Sequence, residues 1–317
     1  MDRKPLGSTA LSVSQLGFGA SPLGNEFGEI DAAEGIRAVH AAIDNGINFF
    51  DTSPFYGRTV SELRLGEALH GKRDQVVVST KCGRYDFRGF DFSAARIRAS
   101  IDESLTRLRT DHIDVWQAHD IEFGDLSQII HETLPAMREI QKQGKVRYLG
   151  VTGYQLKMLC NVAAEFPVDV MLSYCRCNLL IDDLDQLLAP IAAAKGIGLI
   201  NASPLHMGIL SNTGAPPWHP APKAVIDAGF EAAELCRSRG IDIAEVALQH
   251  CLAHPAISTT LVGMINVAQV EANVRAAAGT PDPQLILELR ALLAPVHNVT
   301  WPSGKKENED YAQSTAD

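Results

Sequence analysis

The stretch Ile47-Asn-Phe-Phe-Asp-Thr-Ser-Pro-Phe-Tyr-Gly57 joins an apolar run of strand length to a polar segment rich in turn-forming residues. Two later apolar runs have the same form, Gln75-Val-Val-Val-Ser-Thr80 and Ile113-Asp-Val-Trp-Gln-Ala118. Lys81 follows the first of them and His119 follows the second. Because neighbouring parallel strands end at the same edge of a sheet, we expect these polar side chains to lie close together.

Apolar runs alternate with segments of helical period between residues 16 and 265, the pattern of βα units around a parallel sheet. The eight predicted strands are centred on residues 15–19, 47–50, 76–80, 113–117, 148–152, 170–173, 198–203 and 260–263. Asp31 followed by Glu34 predicts a capped helix start, and a second helix is predicted from Ser93. The chain is therefore predicted to be an α/β protein, a (β/α)₈ TIM barrel whose active site lies at the C-terminal ends of the strands.

The two ends of the chain predict smaller features around this barrel. Residues 4–13 have two short apolar arms around Gly-Ser-Thr, and we expect a β-hairpin that closes the barrel bottom. No long linker interrupts the strand series, so residues 1–303 are predicted to form a single domain. Residues 304–317 are polar and charged without an apolar period, and they are predicted to be a disordered tail.

The composition argues against several classes of partner. The chain has 317 residues, 46% of them hydrophobic, and a formal net charge of −10 without a dense Lys/Arg run, which argues against nucleic acid or an anionic membrane. Its six cysteines contain no CxxC pair, as expected of reduced core residues. His250 and His254 lack the Glu that a zinc protease helix carries, so no metal is expected. We expect a cytoplasmic protein, a monomer or weak homo-oligomer, that acts on a small molecule.

An acid, a phenol, an ammonium and an imidazole follow the second, third and fourth strands: Asp51, Tyr56, Lys81 and His119. Such a set suits proton transfer at a hydroxyl or carbonyl oxygen, since an ammonium near a phenol favours the phenolate. Each residue also has a structural alternative. Asp51 and Lys81 could form an ion pair at the barrel rim, Tyr56 could anchor a loop, and His119 could be a hydrogen-bonded core histidine. Because these four accidents would have to coincide at successive strand ends, we favour catalysis.

The ordered set Asp51, Tyr56, Lys81 and His119, with the later Leu261-Val-Gly-Met-Ile265, resembles the aldo-keto reductase superfamily. The resemblance covers residues 3 to 300. It implies that the tyrosine exchanges a proton with the substrate oxygen, the lysine lowers the pKa of the tyrosine, and the aspartate holds the lysine. The histidine would orient the substrate carbonyl or carbinol.

Several stretches after strands and near the C-terminus narrow the resemblance to family members that oxidise C1 of an L-aldose to the lactone with NAD. These stretches are residues 19–24, 81–85, 89–93, 119–124, 172–175 and 298–304. Loops vary most within one fold, so they bear on the substrate, for which the resemblance implies L-galactose, L-fucose or both. It also implies substrate contacts from Cys82, Tyr85, Phe90, Asp120, Tyr174 and Trp301.

The cofactor positions depart in part from the common family pattern. Gly153, Met171 and Ala202 stand where the family usually places Asn, Gln and an aromatic residue around the nicotinamide. Thr152, Ser173 and Asn201 are the polar substitutes that we expect there. The resemblance implies that the rest of the dinucleotide contacts Ser203, Leu205, Gly208, Gly263, Met264, Ile265, Gln269 and Asn273. Gly263 and Gln269 replace the Lys and Arg of NADP-preferring relatives, so NAD is the expected cofactor.

Two other functions remain open at the level of sequence. The first is an NADP-linked carbonyl reductase for aldehydes, which differs in cofactor and reaction direction. The second is a nucleotide-binding regulatory subunit without turnover, which the intact set of four polar residues disfavours.

Overall fold

Eight parallel strands close into a barrel in the computed structural model, which describes residues 1–26 and 28–310. The strands of the chain are β1 (Arg3–Pro5), β2 (Ser12–Ser14), β3 (Leu16–Gly19), β4 (Phe49–Asp51), β5 (Val77–Cys82), β6 (Ile113–Ala118), β7 (Val146–Gly153), β8 (Val170–Tyr174), β9 (Gly198–Ala202) and β10 (Ile257–Gly263). Strands β3 to β10 follow one another around the barrel, and β10 pairs with β3 to close it. The predicted (β/α)₈ barrel is therefore confirmed.

Helices connect the strands and cover the outside of the barrel. They are α1 (Ala32–Asp44), α2 (Val60–Ala68), α3 (Ala94–Leu108), α4 (Leu126–Gln128), α5 (Leu134–Lys142), α6 (Leu156–Glu165), α7 (Leu184–Leu187), α8 (Ala189–Lys195), α9 (Lys223–Ser238), α10 (Ile243–Leu252), α11 (Val267–Ala278) and α12 (Pro283–Leu293). A π-helical turn, Ile129–Thr133, joins α4 to α5. No helix within residues 1–26 and 28–310 is long and apolar enough to cross a membrane.

The two predicted helix starts are present, with one difference in detail. Asp31 caps α1 by accepting from the Ala33 N–H at 3.0 Å, and Ser93 caps α3. Glu34, expected to complete a capping box, instead accepts from the Val267 N–H at 3.3 Å. It thereby links α1 to the first turn of α11, a tertiary contact that local sequence does not indicate.

The N-terminal hairpin closes the barrel bottom as predicted. Strands β1 and β2 pair antiparallel, and the buried side chains of Leu6, Leu11 and Val13 pack against residues inside the barrel. Lys4 Nζ donates to the carbonyl oxygens of His254 and Ile257, both at 3.0 Å, where the chain enters β10. The hairpin therefore covers the end of the barrel opposite to the C-terminal strand ends.

Side chains alternate between the barrel interior and the helix layer along each strand, as the two-residue period of a β-strand requires. The interior cluster takes Phe49 from β4, Val77 from β5 and Val115 from β6. Their neighbours Phe50 and Val78 belong to the larger cluster beneath the helices. On β4 and β5 the odd-numbered residues therefore face inward, and this parity decides which later residues reach the mouth of the barrel.

The predicted tail starts at residue 304, and its first part contacts the barrel. The Asn308 side-chain amide donates to the carbonyl oxygens of Glu122, at 2.7 Å, and Gly124, at 2.9 Å. Asp310 accepts from the Lys157 N–H at 2.8 Å, in the first turn of α6, and lies 2.7 Å from Arg176 Nη2. Residues 304–310 are thus held by hydrogen bonds, and residues 311–317 lie outside the described residues. A domain boundary at residue 303 stays a prediction.

Candidate active site

Three neighbouring strands deliver the four polar residues to one end of the barrel. Asp51 is the last residue of β4, and it stands opposite Ser79 in the register of β4 and β5. Lys81 lies two residues after Ser79 on β5, so its side chain is on the same inward face. His119 follows β6 directly, and its N–H donates to the Cys82 carbonyl at 2.8 Å. Tyr56 enters from the turn after β4.

Asp51 and Lys81 form a buried ion pair at the floor of this site. Their side chains are 3% and 1% exposed, and Lys81 Nζ bonds directly to Asp51 Oδ1. Lys81 Nζ also donates to the Thr52 carbonyl at 2.8 Å, while Ser79 Oγ donates to Asp51 Oδ2 at 2.8 Å. Burial alone would lower the pKa of Lys81, but Asp51 and then Tyr56 outweigh burial and raise that pKa. Lys81 is therefore a permanent cation at the centre of the site.

Tyr56 lies over this cation. The ammonium is 4.9 Å from the centroid of the phenol ring, and the side chain is only partly exposed. Burial raises the pKa of Tyr56 to about 12, and the positive charge of Lys81 offsets only part of this shift. The resemblance, which takes only the lysine into account, predicts a lowered pKa for Tyr56. Burial outweighs the charge of Lys81, so the phenol is protonated at neutral pH.

His119 stands beside Tyr56 as an uncharged imidazole. The two rings are 5.7 Å apart between centroids and perpendicular, at 89°. Burial lowers the pKa of His119 well below its usual 6.5, and the positive charges of Lys81 and Arg84 lower it further. His119 Nδ1 is 3.1 Å from Ser53 Oγ, which leaves Nε2 on the side of the pocket. A neutral imidazole with one nitrogen engaged is suited to orient a substrate oxygen by a hydrogen bond.

Two of the predicted substrate residues do not reach the pocket. Cys82 follows the inward-facing Lys81 and therefore points outward, where its Sγ is 4.0 Å from Met137 Sδ beneath the helices. The Tyr85 hydroxyl accepts from the Gly83 N–H at 3.1 Å, and its ring is covered by the Arg96 guanidinium at 4.0 Å. Both side chains therefore pack on the side of β5 and its following loop that faces away from the pocket.

The other four predicted substrate residues surround the mouth of the barrel. Phe90 stacks on Phe123 with centroids 4.5 Å apart, Asp120 follows His119, and Tyr174 ends β8. Trp301 is 7% exposed and stacks on Tyr154 at 4.5 Å, so it is a wall beneath the surface of the site. These positions are compatible with substrate contact, and their role in binding is a proposal.

Strand parity also corrects the expected nicotinamide residues. Met171 is fully buried beneath the helices, and Ser173 lies on the same outward face of β8. Asn201 Nδ2 donates outward to the Cys177 carbonyl at 3.0 Å. Thr152 faces inward, but its hydroxyl already accepts from the Asp120 N–H at 3.0 Å. Ser173 and Asn201 therefore do not face the mouth of the barrel, because they alternate with the inward-facing Leu172 and Ile200 of the interior cluster.

The remaining cofactor positions lie together after β9 and β10, which are neighbours in the barrel. Ala202 packs against the interior cluster, is partly exposed and presents only a methyl group, so a flat ring fits over the end of β9. The positions after β9 are Ser203, Leu205 and Gly208, and those from the last residue of β10 onward are Gly263, Met264, Ile265, Gln269 and Asn273. All but Met264, which is fully buried, retain solvent exposure. The exposed positions on these two neighbouring loops are compatible with a dinucleotide that runs across them, and their role in binding is a proposal.

Two charged residues near the site, Arg84 and Glu122, are not among those predicted from the sequence. Arg84 forms an ion pair with Asp120 at the edge of the pocket. Glu122 is fully buried, and its Oε1 accepts from the Tyr154 N–H at 3.0 Å while its Oε2 has no partner. Burial and then the nearby Asp120 charge raise the pKa of Glu122 to about 8. Both residues lie inside stretches that carried the resemblance, but their burial and pairing were not visible there.

The comparisons with known proteins agree with this geometry. The Aldo/keto reductase family model matches residues 15–293, so the chain belongs to the aldo/keto reductase family. It is 47% identical over 318 residues to L-galactose dehydrogenase of Arabidopsis thaliana, covering 97% of this chain and 99% of that protein. It is 30% identical to D-threo-aldose 1-dehydrogenase of a Pseudomonas species, covering 86% of this chain and 91% of that protein.

Solved structures show the same architecture. The holo form of the aldo-keto reductase AKR11C1 from Bacillus halodurans superposes with a TM-score of 0.80 and 26% identity, over 98% of this chain and 100% of that one. The glycerol dehydrogenase AKR11B4 from Gluconobacter oxydans gives a TM-score of 0.75 at 24% identity, over 96% of this chain and 99% of that one. This second match shows similarity of the fold alone. The protein is an oxidoreductase of the nicotinamide-dependent kind, and aldose dehydrogenation is the activity that its relatives support.

Proposed function

We propose that this protein oxidises the C1 hydroxyl of an L-aldose, L-galactose or L-fucose, to the lactone with NAD. The observation that carries the proposal is the convergence of Tyr56 and His119, 5.7 Å apart, over the buried pair of Asp51 and Lys81. The similarity to L-galactose dehydrogenase supports the substrate class, since it extends over 97% of the chain and includes the loops around the mouth.

The four residues divide the proton chemistry among them. The Tyr56 phenolate takes the proton of the C1 hydroxyl, and the Lys81 ammonium stabilises that phenolate. Asp51 holds Lys81 in place, while neutral His119 donates a hydrogen bond that orients the C1 oxygen. When bound, a nicotinamide dinucleotide supplies the acceptor for the hydride that leaves C1.

The first turn of α11 supports NAD rather than NADP. Gly263 and Gln269 provide no cation for a 2′-phosphate, and the Gln269 side-chain oxygen already accepts from the Ile265 N–H at 2.9 Å. The Glu34 carboxylate lies at the same helix start, 3.3 Å from the Val267 nitrogen. Its hydrogen bond from Arg37 lowers the pKa of Glu34, so it carries a negative charge there. The Arg37 guanidinium beside this helix start is therefore already paired with Glu34 and is not available to a 2′-phosphate.

We also propose that the protein works in the cytoplasm as a monomer or weak homo-oligomer. All six cysteines are free in the structure, and five of them are buried, which agrees with a reducing compartment. Gel filtration at several protein concentrations would measure the oligomeric state.

NADH formation by the purified protein tests the function against L-galactose, L-fucose and D-galactose. We expect both L-sugars to be oxidised, because L-fucose differs from L-galactose only in having a methyl group at C6. D-Galactose is the mirror image and cannot place its C1 hydrogen and its ring hydroxyls in the same pocket, so it should be a poor substrate. Efficient oxidation of D-galactose, or of neither L-sugar, would refute the substrate assignment. The Tyr56→Phe variant is the control for background turnover.

A further inference from the structure

Arg84 is placed at the pocket by the turn that follows β5. Its guanidinium lies 3.7 Å from the centroid of the Phe55 ring, and that ring is 6.0 Å from the imidazole of His119. The guanidinium pairs with Asp120 Oδ2, and its Nε is buried without a partner. Because arginine has five N–H donors, the pair with Asp120 uses only part of its capacity.

Asp120 is held in an unusual conformation beside His119. Its φ of 50° is in the left-handed region, which few residues other than glycine adopt. Its N–H donates to Thr152 Oγ1 at 3.0 Å, and the Thr152 hydroxyl lies 3.5 Å from Asp120 Oδ1. Asp120 Oδ2 is 3.7 Å from His119 Nε2, beyond a direct hydrogen bond. The carboxylate edge thus faces the place where the C1 oxygen would sit.

We propose that the Arg84–Asp120 pair is a specificity-determining subsite that binds the C2 hydroxyl of the aldose, an inference that rests on the proposed function. The hydroxyl donates its hydrogen to the Asp120 carboxylate and accepts an N–H from the Arg84 guanidinium. A hydroxyl is the one sugar group that does both, and bonds to charged partners are the strongest available to it. No covalent step is involved.

The location of the pair agrees with this role. With the C1 oxygen on His119 Nε2, the neighbouring carbon places its hydroxyl within reach of the carboxylate, which is 3.7 Å from the same nitrogen. Phe90 and Phe123 line the far side of Arg84, with ring centroids 5.2 and 5.7 Å from its guanidinium carbon. These rings restrict Arg84 to one orientation and offer no other hydrogen-bond partner. A buried ion pair contributes little net stability, so stability alone does not explain it.

The test compares L-galactose with 2-deoxy-L-galactose in the wild type and in variants of the pair. A site built to bond a hydroxyl rejects the analogue that lacks it, so we expect the wild-type kcat/KM to favour L-galactose by ~10²-fold or more. Asp120→Asn and Arg84→Gln should lower kcat/KM for L-galactose by a similar factor and barely change it for the deoxy sugar. The ratio between the two sugars should therefore fall to within ~10-fold.

Arg84→Lys keeps the charge without the planar donor fork and should give an intermediate ratio. Arg98→Gln is the matched control, since Arg98 pairs with Glu139 at 2.8 Å on the outside of the barrel with 52% of its side chain exposed. It should leave both the ratio and the affinity for NAD unchanged.

A variant that keeps NAD affinity and the wild-type ratio of the two sugars would overturn the subsite while leaving the dehydrogenase standing. If Arg84→Gln does not fold, Arg84→Lys and Asp120→Asn provide the same comparison. Wild-type protein that oxidises no aldose would refute the proposed function itself, and the subsite with it.

Discussion

The buried pair of Asp51 and Lys81 allows a direct test of catalysis against a purely structural ion pair. Lys81→Met removes the cation and leaves two buried acceptors, Asp51 Oδ1 and the Thr52 carbonyl, without their donor. Since the side chains of Asp51 and Lys81 are at most 3% exposed, water cannot replace the lost ammonium donor. Removing one partner of a buried pair costs about 3–5 kcal/mol, so the free energy of unfolding should fall by about that amount.

The double variant Asp51→Leu with Lys81→Met separates stability from chemistry. It removes both charges together, and replacing a buried pair with apolar residues of similar volume is neutral or stabilising in many proteins. Ser79 loses its acceptor but keeps its hydrogen bond from Gln117 Nε2 at 2.9 Å. We expect part of the lost stability to return, since the buried Asp51 charge is gone but the Thr52 carbonyl still lacks its donor. Turnover should stay ~10²-fold or more below wild type, because Tyr56 no longer has an ammonium to stabilise its phenolate.

Urea denaturation followed by tryptophan fluorescence measures the stability of each variant, and NADH formation measures its turnover. The surface pair of Arg98 and Glu139 provides the control, since Arg98→Met should change stability by less than about 1 kcal/mol. Near wild-type turnover in the double variant would show that the pair is structural and would refute the catalytic assignment. A stability loss in Lys81→Met as small as that of the control would contradict the burial argument.

Four further predictions concern the same site. Tyr56→Phe should keep its fold and NAD affinity and lose ~10²-fold or more in kcat, which steady-state rates and a fluorescence titration would show. NAD should be preferred over NADP by about 1.5–3 kcal/mol, the value of missing charge-assisted bonds. Gln269→Arg should narrow that gap in kcat/KM, whereas Gly263→Lys would bring its Cβ to 2.8 Å from Pro22 Cγ and is a poorer design. The kcat/KM for oxidation should rise with pH from 6 to 10, because the Tyr56 phenol has a pKa of about 12 and must ionise. The pKa of His119 is too low for its titration to affect the rate in this range. A flat pH profile would contradict the role of Tyr56. The pKa of Glu122 is raised from 4.5 to about 8 in the folded protein, so between these pH values the native state holds a proton that the unfolded chain has lost. The free energy of unfolding, measured with urea, should therefore fall as pH rises from 4.5 to 8. Glu122→Gln should reduce this pH dependence.

The strands, their order and the hairpin were accessible from the sequence. Apolar runs of strand length with polar residues directly after them located the strands within a few residues, and the same signal predicted that Asp51, Lys81 and His119 would meet at one end. The structure brings those three and Tyr56 together. Local periodicity was sufficient because a closed parallel barrel places every strand end at the same edge.

Residues near the strand ends were harder to predict, because a shift of one residue reverses the face of a strand. Cys82 and Ser173 belong to stretches that resemble sugar dehydrogenases, and Asn201 was expected beside the nicotinamide, yet all three point away from the barrel interior. Arg84 lies in one of those stretches, but nothing in the local sequence indicates that it pairs with Asp120. A count of alternate positions from the inward-facing Lys81 would have excluded Cys82 from the sequence alone.

By itself the sequence determined the barrel, the set of polar residues at successive strand ends and the lack of Lys or Arg at positions 263 and 269, because each of these depends on residue type and short-range spacing. Only the tertiary structure decided that burial raises the pKa of Tyr56 against the pull of Lys81, that Glu122 is a buried carboxyl, and that Arg84 pairs with Asp120. Desolvation and ion pairing depend on every atom packed around a group. Those atoms come from segments far apart in the chain, and no local pattern records their distances.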